Sequence, residues 1–181
     1  RGMFRGVRHV LISKLCDTSV HSDTNRVLFE RIQELNLNPD KCLDLFDENC
    51  WKVLEISKNI LNNSKKDVIV ASVTSKLRLS ILKISEIHDE ETPRGMLSCI
   101  FDTCRLVTEI LKGQVVASDT LIPLLAFVIV RANLETAYLD SVFVDLYMPE
   151  SLRLGEAGFS LVTFQTALNH IRSVSLDEGH T

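Results

Sequence analysis

The stretch SDTLIPLLAFVIV, residues 118–130, decides the fold. Its Leu, Ile, Phe and Val side chains would surround a helix on every side, and a helix of this kind is buried in the middle of a domain. The apolar run of 10 residues, 121–130, is too short to cross a bilayer, because a spanning helix needs about 20 residues. The stretch therefore predicts a central helix over about residues 119–132 of a globular domain.

Apolar residues recur at helical spacing on both sides of this stretch. The stripes lie within residues 4–15, 27–35, 51–61, 97–111, 134–146 and 164–171. Residues 68–73 leave strand and helix open, because their β-branched side chains favour a strand while the spacing that follows them favours a helix. The pattern predicts an all-α fold of layered helices, with a single domain over residues 1–173 and a polar tail over residues 174–181.

Polar residues beside these stripes predict where helices begin and end. Thr92 can cap a helix that starts at the next residue, a proline, which suits a first turn because it has no N–H to leave unpaired. Asp23 and Thr163 are further capping candidates, and Gly113 lies where a helix should stop. Residues 62–67 and 155–159 are predicted to be loops.

Composition excludes several functional classes. The net charge of −4 provides no basic footprint for nucleic acid. The five cysteines form no CxxC pair, the five histidines form no HExxH pattern, and no glycine-rich phosphate loop occurs. We therefore expect no metal, no cofactor and no hydrolytic or redox chemistry. An odd number of cysteines without a disulfide framework favours reduced thiols in the cytosol.

Three segments carry a resemblance to a known family. They are ETPRGMLSCI (91–100), SDTLIPLL (118–125) continuing to RAN (131–133), and LRLGEAGFSLVTFQTAL (152–168). Together they resemble the vacuolar-protein-sorting-nine (VPS-nine) domain of Rabex, Rin and alsin proteins, whose motifs are similar to "tPrdKLxcI", "aDDLLPvL…kAN" and "lxGEeGYYfTsLeaAl". Their order and spacing fit the family over most of residues 5–172.

The chain departs from the family pattern in three places. Phe159 stands where the family has a tyrosine that contacts the GTPase, and a core aromatic is an equal alternative for it. Val162 stands where the family has a threonine, whose place Thr163 takes only if the alignment shifts by one residue. The segment before Pro93 is longer than usual, which implies an insertion near residues 62–74.

The resemblance implies a guanine-nucleotide exchange factor for a small Rab GTPase of the Rab-five subgroup. In the family, an aspartate matching Asp119 enters the nucleotide site of the GTPase, competes with the β-phosphate for a lysine and displaces magnesium. Pro123 would shape the turn that presents this acidic residue. The residues that would serve GTPase binding are Pro123, Asn133, Phe159, Val162 and Thr163. Such a protein is a regulator without covalent chemistry of its own, and it binds the GDP-bound or nucleotide-free GTPase.

Other readings remain open at the level of sequence. Asp119 could instead cap its helix, Pro123 could be structural, and Asn133 could orient the loop or cap the next helix. The departures at Phe159 and Val162 favour, as an alternative function, a weakened or inactive VPS-nine-like domain that binds a Rab as a scaffold in endosomal trafficking. We expect a cytoplasmic protein without a transmembrane segment, recruited peripherally to early endosomes through other regions.

Overall fold

The computed structural model describes residues 10–14, 17, 19–111 and 118–174. All regular secondary structure in these residues is helical, which confirms the all-α prediction. Residues 10–14 are helical, and a short 3-10 turn covers Glu86–His88. The helices that follow residue 17 are α1 (Ser19–Leu37), α2 (Pro39–Leu43), α3 (Glu48–Val53), α4 (Lys58–Asn63), α5 (Lys66–Lys76), α6 (Arg78–Ser85), α7 (Pro93–Ile110), α8 (Ser118–Ala132), α9 (Ala137–Tyr147), α10 (Glu150–Arg153) and α11 (Glu156–Ser173).

The predicted central helix is confirmed as α8. Every side chain from Leu124 to Val130 is fully buried, because α1, α3, α6, α7 and α11 all pack around this helix. Burial of each large side chain contributes about 1.5–3 kcal/mol, so α8 supplies much of the core energy. No single described helix is long and apolar enough to cross a membrane, and only α8 and α9 taken together, bent by 117°, meet that test by length and composition.

The predicted helix boundaries are right at one position and wrong at others. Thr92 caps α7, since its hydroxyl accepts a hydrogen bond from the N–H of Gly95 at 3.0 Å. Asp23 and Thr163 do not cap, because they lie inside α1 and α11. Thr163 donates its hydroxyl to the carbonyl of Phe159 at 2.9 Å instead. The side chain of a typical capping residue can also form a hydrogen bond inside a helix, so the presence of such a residue does not by itself mark the beginning of a helix.

Residues 62–74 are mostly helical, with a break at residues 64–65, and the later part of this segment contributes to the core. The predicted loop at 62–67 is wrong, because α4 extends to Asn63 and α5 begins at Lys66. The predicted loop at 155–159 is wrong as well, because α11 already begins at Glu156. Residues 68–73, for which strand and helix were both open, belong to α5, whose Ile69, Val70 and Val73 are buried. Helix α5 packs against α2. That this segment is an insertion relative to the family stays a prediction.

One hydrophobic cluster connects the helices from Leu28 in α1 to Ile171 in α11. Val174 packs against the same cluster, while the remainder of the predicted polar tail lies outside the described residues. The same is true of most of the first apolar stripe, which includes Phe4, Val7 and Leu15, and of the predicted helix stop at Gly113. The single-domain prediction for residues 1–173 stays a prediction.

Candidate functional site

Asp119 lies at an open groove with a volume of about 560 Å³. The first turn of α8 forms one wall, with Asp119 and Pro123. The loop between α2 and α3, residues 44–47, forms a second wall, and the C-terminal half of α11 forms the third. Three segments that are far apart in the sequence therefore surround one carboxylate.

The local structure around Asp119 follows from its place in α8. Helix α8 begins at Ser118, so Asp119 lies within the first turn rather than at a cap, and its side chain is exposed. The unpaired N–H groups of this turn favour a negative charge. Pro123 is four residues further on and has no N–H, so it cannot donate the helical hydrogen bond to the carbonyl of Asp119. The first turn, which carries the carboxylate, therefore has one helical hydrogen bond fewer than an ordinary turn, while the proline ring itself is buried.

The groove has a negative character. Asp44 and Asp47 border it with Asp119, all three are exposed, and none of the described residues that line it is Lys or Arg. Asp47 caps α3 by accepting the N–H of Cys50 at 2.9 Å. Partial burial raises the pKa of Asp47, but the hydrogen bonds from Cys50 and Asn49 outweigh burial and hold this pKa below its usual value. The resulting potential favours a cation in the groove.

The loop at residues 44–47 is held in place by contacts with α11 and with the core. The Nε2 atom of His170 in α11 lies 2.9 Å from the carbonyl oxygen of Leu45, which ties the loop to α11. The ring of Phe46 packs against those of Trp51 and Phe127, at centroid distances of 4.9 and 5.1 Å. These contacts connect the groove wall directly to the core, so the acidic surface is preorganised.

The outer face of α11 continues from the groove to two apolar side chains. Phe159 and Val162 are 60% and 58% exposed, which excludes the alternative that Phe159 is a core aromatic. Thr166 follows Val162 by one helical turn, donates its hydroxyl to the carbonyl of Val162 at 2.8 Å, and lines the groove. Because residues at i, i+3 and i+7 share one helix face, the apolar pair and the acidic groove form one surface.

Two of the predicted site residues lie away from this surface. Thr163 is buried. Asn133 does not line the groove and ends α8 at the opposite terminus, about 21 Å along the helix from Asp119. Its φ of 51° is left-handed and its N–H donates to the carbonyl of Val130 at 3.0 Å, a typical helix ending. Asn133 does not cap the next helix either, because Thr136 precedes α9.

Sequence reasoning did not identify Asp44, Asp47, Thr166 and His170, which line the groove. Asp47 carries a local signal as a helix cap, but nothing near it in the sequence indicates a groove. Thr166 could have been found, since it lies one turn after Val162 on the predicted last helix. The loop residues could not, because 125 positions separate His170 from its partner Leu45.

Among residues 10–14, 17, 19–111 and 118–174, no group of three His, Cys, Asp or Glu side chains could hold a metal ion. The cysteines in this part of the chain are buried and free. Burial raises the pKa of Cys42, Cys50 and Cys104 to about 12, which keeps these thiols protonated.

The fold and the groove together define a helical module in which the first turn of α8, the loop at residues 44–47 and α11 border one open groove. The sequence pattern of the vacuolar sorting protein 9 (VPS9) domain matches residues 77–176. This match covers more than half of the chain, and the chain belongs to the VPS9 domain family. It includes both α8 and α11, and therefore both helices that carry the predicted site.

Curated relatives agree with this assignment. The chain is 24% identical over 185 residues to Ras and Rab interactor 3 of Homo sapiens, covering 90% of this chain and 18% of that protein. It is 27% identical over 146 residues to vacuolar protein sorting-associated protein 9A of Arabidopsis thaliana, with 74% and 28% covered. It is 25% identical over 87 residues to receptor-mediated endocytosis protein 6 of Caenorhabditis elegans, with 46% and 8% covered. The chain thus spans less than a third of the length of each of these relatives.

Proposed function

We propose that this chain is a guanine-nucleotide exchange factor for a small Rab GTPase of the Rab-five subgroup, and that Asp119 is the residue that releases GDP. The observation that carries the proposal is the exposed carboxylate of Asp119 at the start of α8, on one surface with Phe159 and Val162. Family membership supports it, as does similarity to a protein named Ras and Rab interactor 3.

The proposed mechanism is competition for charge. A Rab holds the β-phosphate of its nucleotide through a lysine and a magnesium ion. When the carboxylate of Asp119 enters that site, it repels the phosphate, displaces the metal and accepts a charge-assisted hydrogen bond from the lysine. The nucleotide-free state is thereby stabilised relative to the loaded state, and only such a differential interaction can drive release. Asp44 and Asp47 add negative potential beside Asp119.

Phe159 and Val162 would provide the docking contact. Their apolar side chains can pack against the switch region of the GTPase without any rearrangement of α11, because they are already exposed. The absent tyrosine hydroxyl forfeits one hydrogen bond, worth about 0.5–1.5 kcal/mol. We therefore propose that the chain retains exchange activity and that phenylalanine in place of tyrosine reduces this activity by at most about tenfold.

The remaining predicted residues serve the fold in this proposal. Asn133 ends α8 and Thr163 satisfies its hydroxyl inside α11, so neither contacts the GTPase directly. We propose that residues 1–173 act as one domain. We also propose a cytoplasmic site of action at endosomes, because the relatives are named for receptor-mediated endocytosis and vacuolar sorting.

The test is release of labelled GDP from a Rab panel by the wild-type chain and by Asp119→Ala. Asp67→Ala is a matched control, because Asp67 is the exposed second residue of α5 and thus repeats the helix position of Asp119. Loss of one hydrogen bond to a charged group corresponds to about 10–150-fold in rate. We expect that loss for Asp119→Ala and wild-type rates for Asp67→Ala. Equal rates for both variants, or no acceleration of any Rab, would sink the proposal.

A scaffolding role is the second candidate, because Phe159 lacks the hydroxyl of its family counterpart. In that case the chain binds a Rab on the same surface without releasing its nucleotide. Binding of the GTP-loaded Rab in preference to the GDP-bound form, together with an unchanged GDP release rate, would favour this function over exchange. Tight binding of the nucleotide-free Rab would favour exchange.

A further inference from the structure

Leu154 is the most exposed large hydrophobic side chain in the described part of the chain, at 98%. Single exposed leucines are common on protein surfaces and need no explanation. Leu154 is not isolated, however, because Phe159 and Val162 follow it within nine residues and are also exposed. These three side chains are called the apolar ridge below.

The position of Leu154 makes its exposure unusual. Gly155 is the cap of α11, so Leu154 precedes the cap and Phe159 is the fourth residue of the helix. Apolar residues at these two positions often pack against each other as a hydrophobic staple. Here both remain open to solvent, so the pair does not shield itself and presents its apolar area outward.

The backbone that carries Leu154 is firmly held. Arg153 donates a hydrogen bond to the Oδ1 atom of Asp145 at 2.9 Å, which ties the end of α10 to α9. On the other side, the backbone of Arg153 packs directly against Gly158 in the first turn of α11. Leu154 is thus presented at a fixed position, and little conformational entropy would be lost when a partner covers it.

We infer that the apolar ridge sets the affinity for the GTPase, while Asp119 sets the rate of nucleotide release, and that Leu154 is a main contributor to this affinity. The inference rests on the proposed function. The occupant is the GTPase because the ridge continues through Thr166 into the groove that holds Asp119. A contact made equally in the loaded and nucleotide-free complexes changes KM without changing kcat, whereas one made only as nucleotide leaves changes kcat.

The experiment measures KM and kcat for GDP release over a range of Rab concentrations. We expect Leu154→Ala to raise KM about tenfold and Leu154→Asp to raise it further, both with kcat unchanged. Asp119→Ala is expected to lower kcat. Leu79→Asp is the control, because Leu79 is 68% exposed on α6 at a separate pocket formed with α3, α5 and α7. Its KM should match the wild type, and all these variants should keep the wild-type unfolding midpoint.

The outcomes separate this inference from the proposed function. If the wild type accelerates release but Leu154→Asp leaves KM unchanged, the role of Leu154 is overturned and the proposed function stands. A fall in kcat at constant KM for Leu154→Asp would also overturn the division between affinity and release. If Leu154→Asp instead abolishes self-association of the free chain, the occupant is a second copy and the inference is wrong. If the wild type accelerates GDP release from no Rab, both this inference and the proposed function are wrong.

Discussion

Replacing Gly158 by alanine probes how closely α10 approaches the first turn of α11. A Cβ atom at position 158 would lie 2.1 Å from the carbonyl oxygen of Arg153 and 2.6 Å from its carbonyl carbon. Ordinary contact begins at 3.4 Å, so the two helix ends would have to separate by more than 1 Å. The contacted atoms are backbone and cannot rotate away, and the Arg153 side chain is held by Asp145.

Gly95 and Gly155 provide matched controls. Gly95 is the third residue of α7, as Gly158 is the third residue of α11, so their intrinsic helix propensities cancel in the comparison. A Cβ at Gly95 would meet the Oε2 atom of Glu90 at 1.9 Å, but that atom ends a side chain that can turn aside. A Cβ at Gly155 would have its nearest neighbour at 3.8 Å. Of these three glycines, Gly158 alone is therefore required by a backbone approach.

The expected magnitude follows from two opposing effects. Overpacking costs about 1–3 kcal/mol, and a clash against backbone belongs at the upper end of that range. Alanine is favoured over glycine inside a helix by about 1 kcal/mol. We expect Gly158→Ala to lower the free energy of unfolding by about 2 kcal/mol, which corresponds to about 4–8 °C in Tm for a domain of this size. Gly95→Ala and Gly155→Ala should each change it by less than about 1 kcal/mol.

The assay is urea and thermal unfolding of the three variants, followed by nucleotide release at a temperature where all remain folded. We expect Gly158→Ala also to slow release, because movement of the first turn of α11 displaces Phe159. If Gly158→Ala and Gly95→Ala unfold at the same midpoint, the close approach of Arg153 is not a feature of the molecule. That result would also remove the physical reason for the second glycine of the GEAG segment.

Two further predictions concern the aromatic ring and the thiols. Phe159→Tyr should raise kcat/KM for nucleotide release up to about tenfold by lowering KM, because it restores one hydrogen bond; a kcat/KM equal to that of the wild type in stopped-flow measurements would contradict the proposed contact. Because burial raises the pKa of Cys42, Cys50 and Cys104 to about 12, the folded chain keeps protons that the unfolded chain releases near pH 9. Stability should therefore fall as pH rises above about 9, and a urea midpoint that stays constant from pH 8 to about 10.5 in reductant would refute this.

Apolar periodicity and capping residues predicted the helices whose position depends on interactions between neighbouring residues. The central helix α8 was found because its apolar run leaves no polar face, and the start of α7 because Thr92 bonds to an N–H three residues away. Asp23 and Thr163 misled because the same side chains can also bond inside a helix. The polar residues 62–67 suggested a loop, but most of them are helical, because α5 begins at Lys66 and is anchored by side chains that are buried further along the helix.

The candidate site could be predicted only in part. Asp119 and Pro123 lie in one helix turn, so the sequence alone could associate them. The exposure of Phe159 and the burial of Thr163 depend on the face that α11 turns toward α8, and a shift of one residue in the alignment left that open. The separation of Asn133 from the groove follows from the length of α8, which places the two ends of one helix on different parts of the molecule.

The apolar run that ends at Val130 and the polar residues before it determined by themselves that this protein is helical and that Asp119 lies near the start of its central helix, because periodicity and capping act within a few residues of the chain. Tertiary structure alone decided what faces that carboxylate. The carbonyl of Leu45 meets His170 across 125 positions, and this contact brings the acidic loop to the groove. The long-range packing of α11 on α8 likewise placed Phe159 and Val162 on the same surface as Asp119. Packing decides which face of a helix is buried, and the side chains on the other face then point toward solvent.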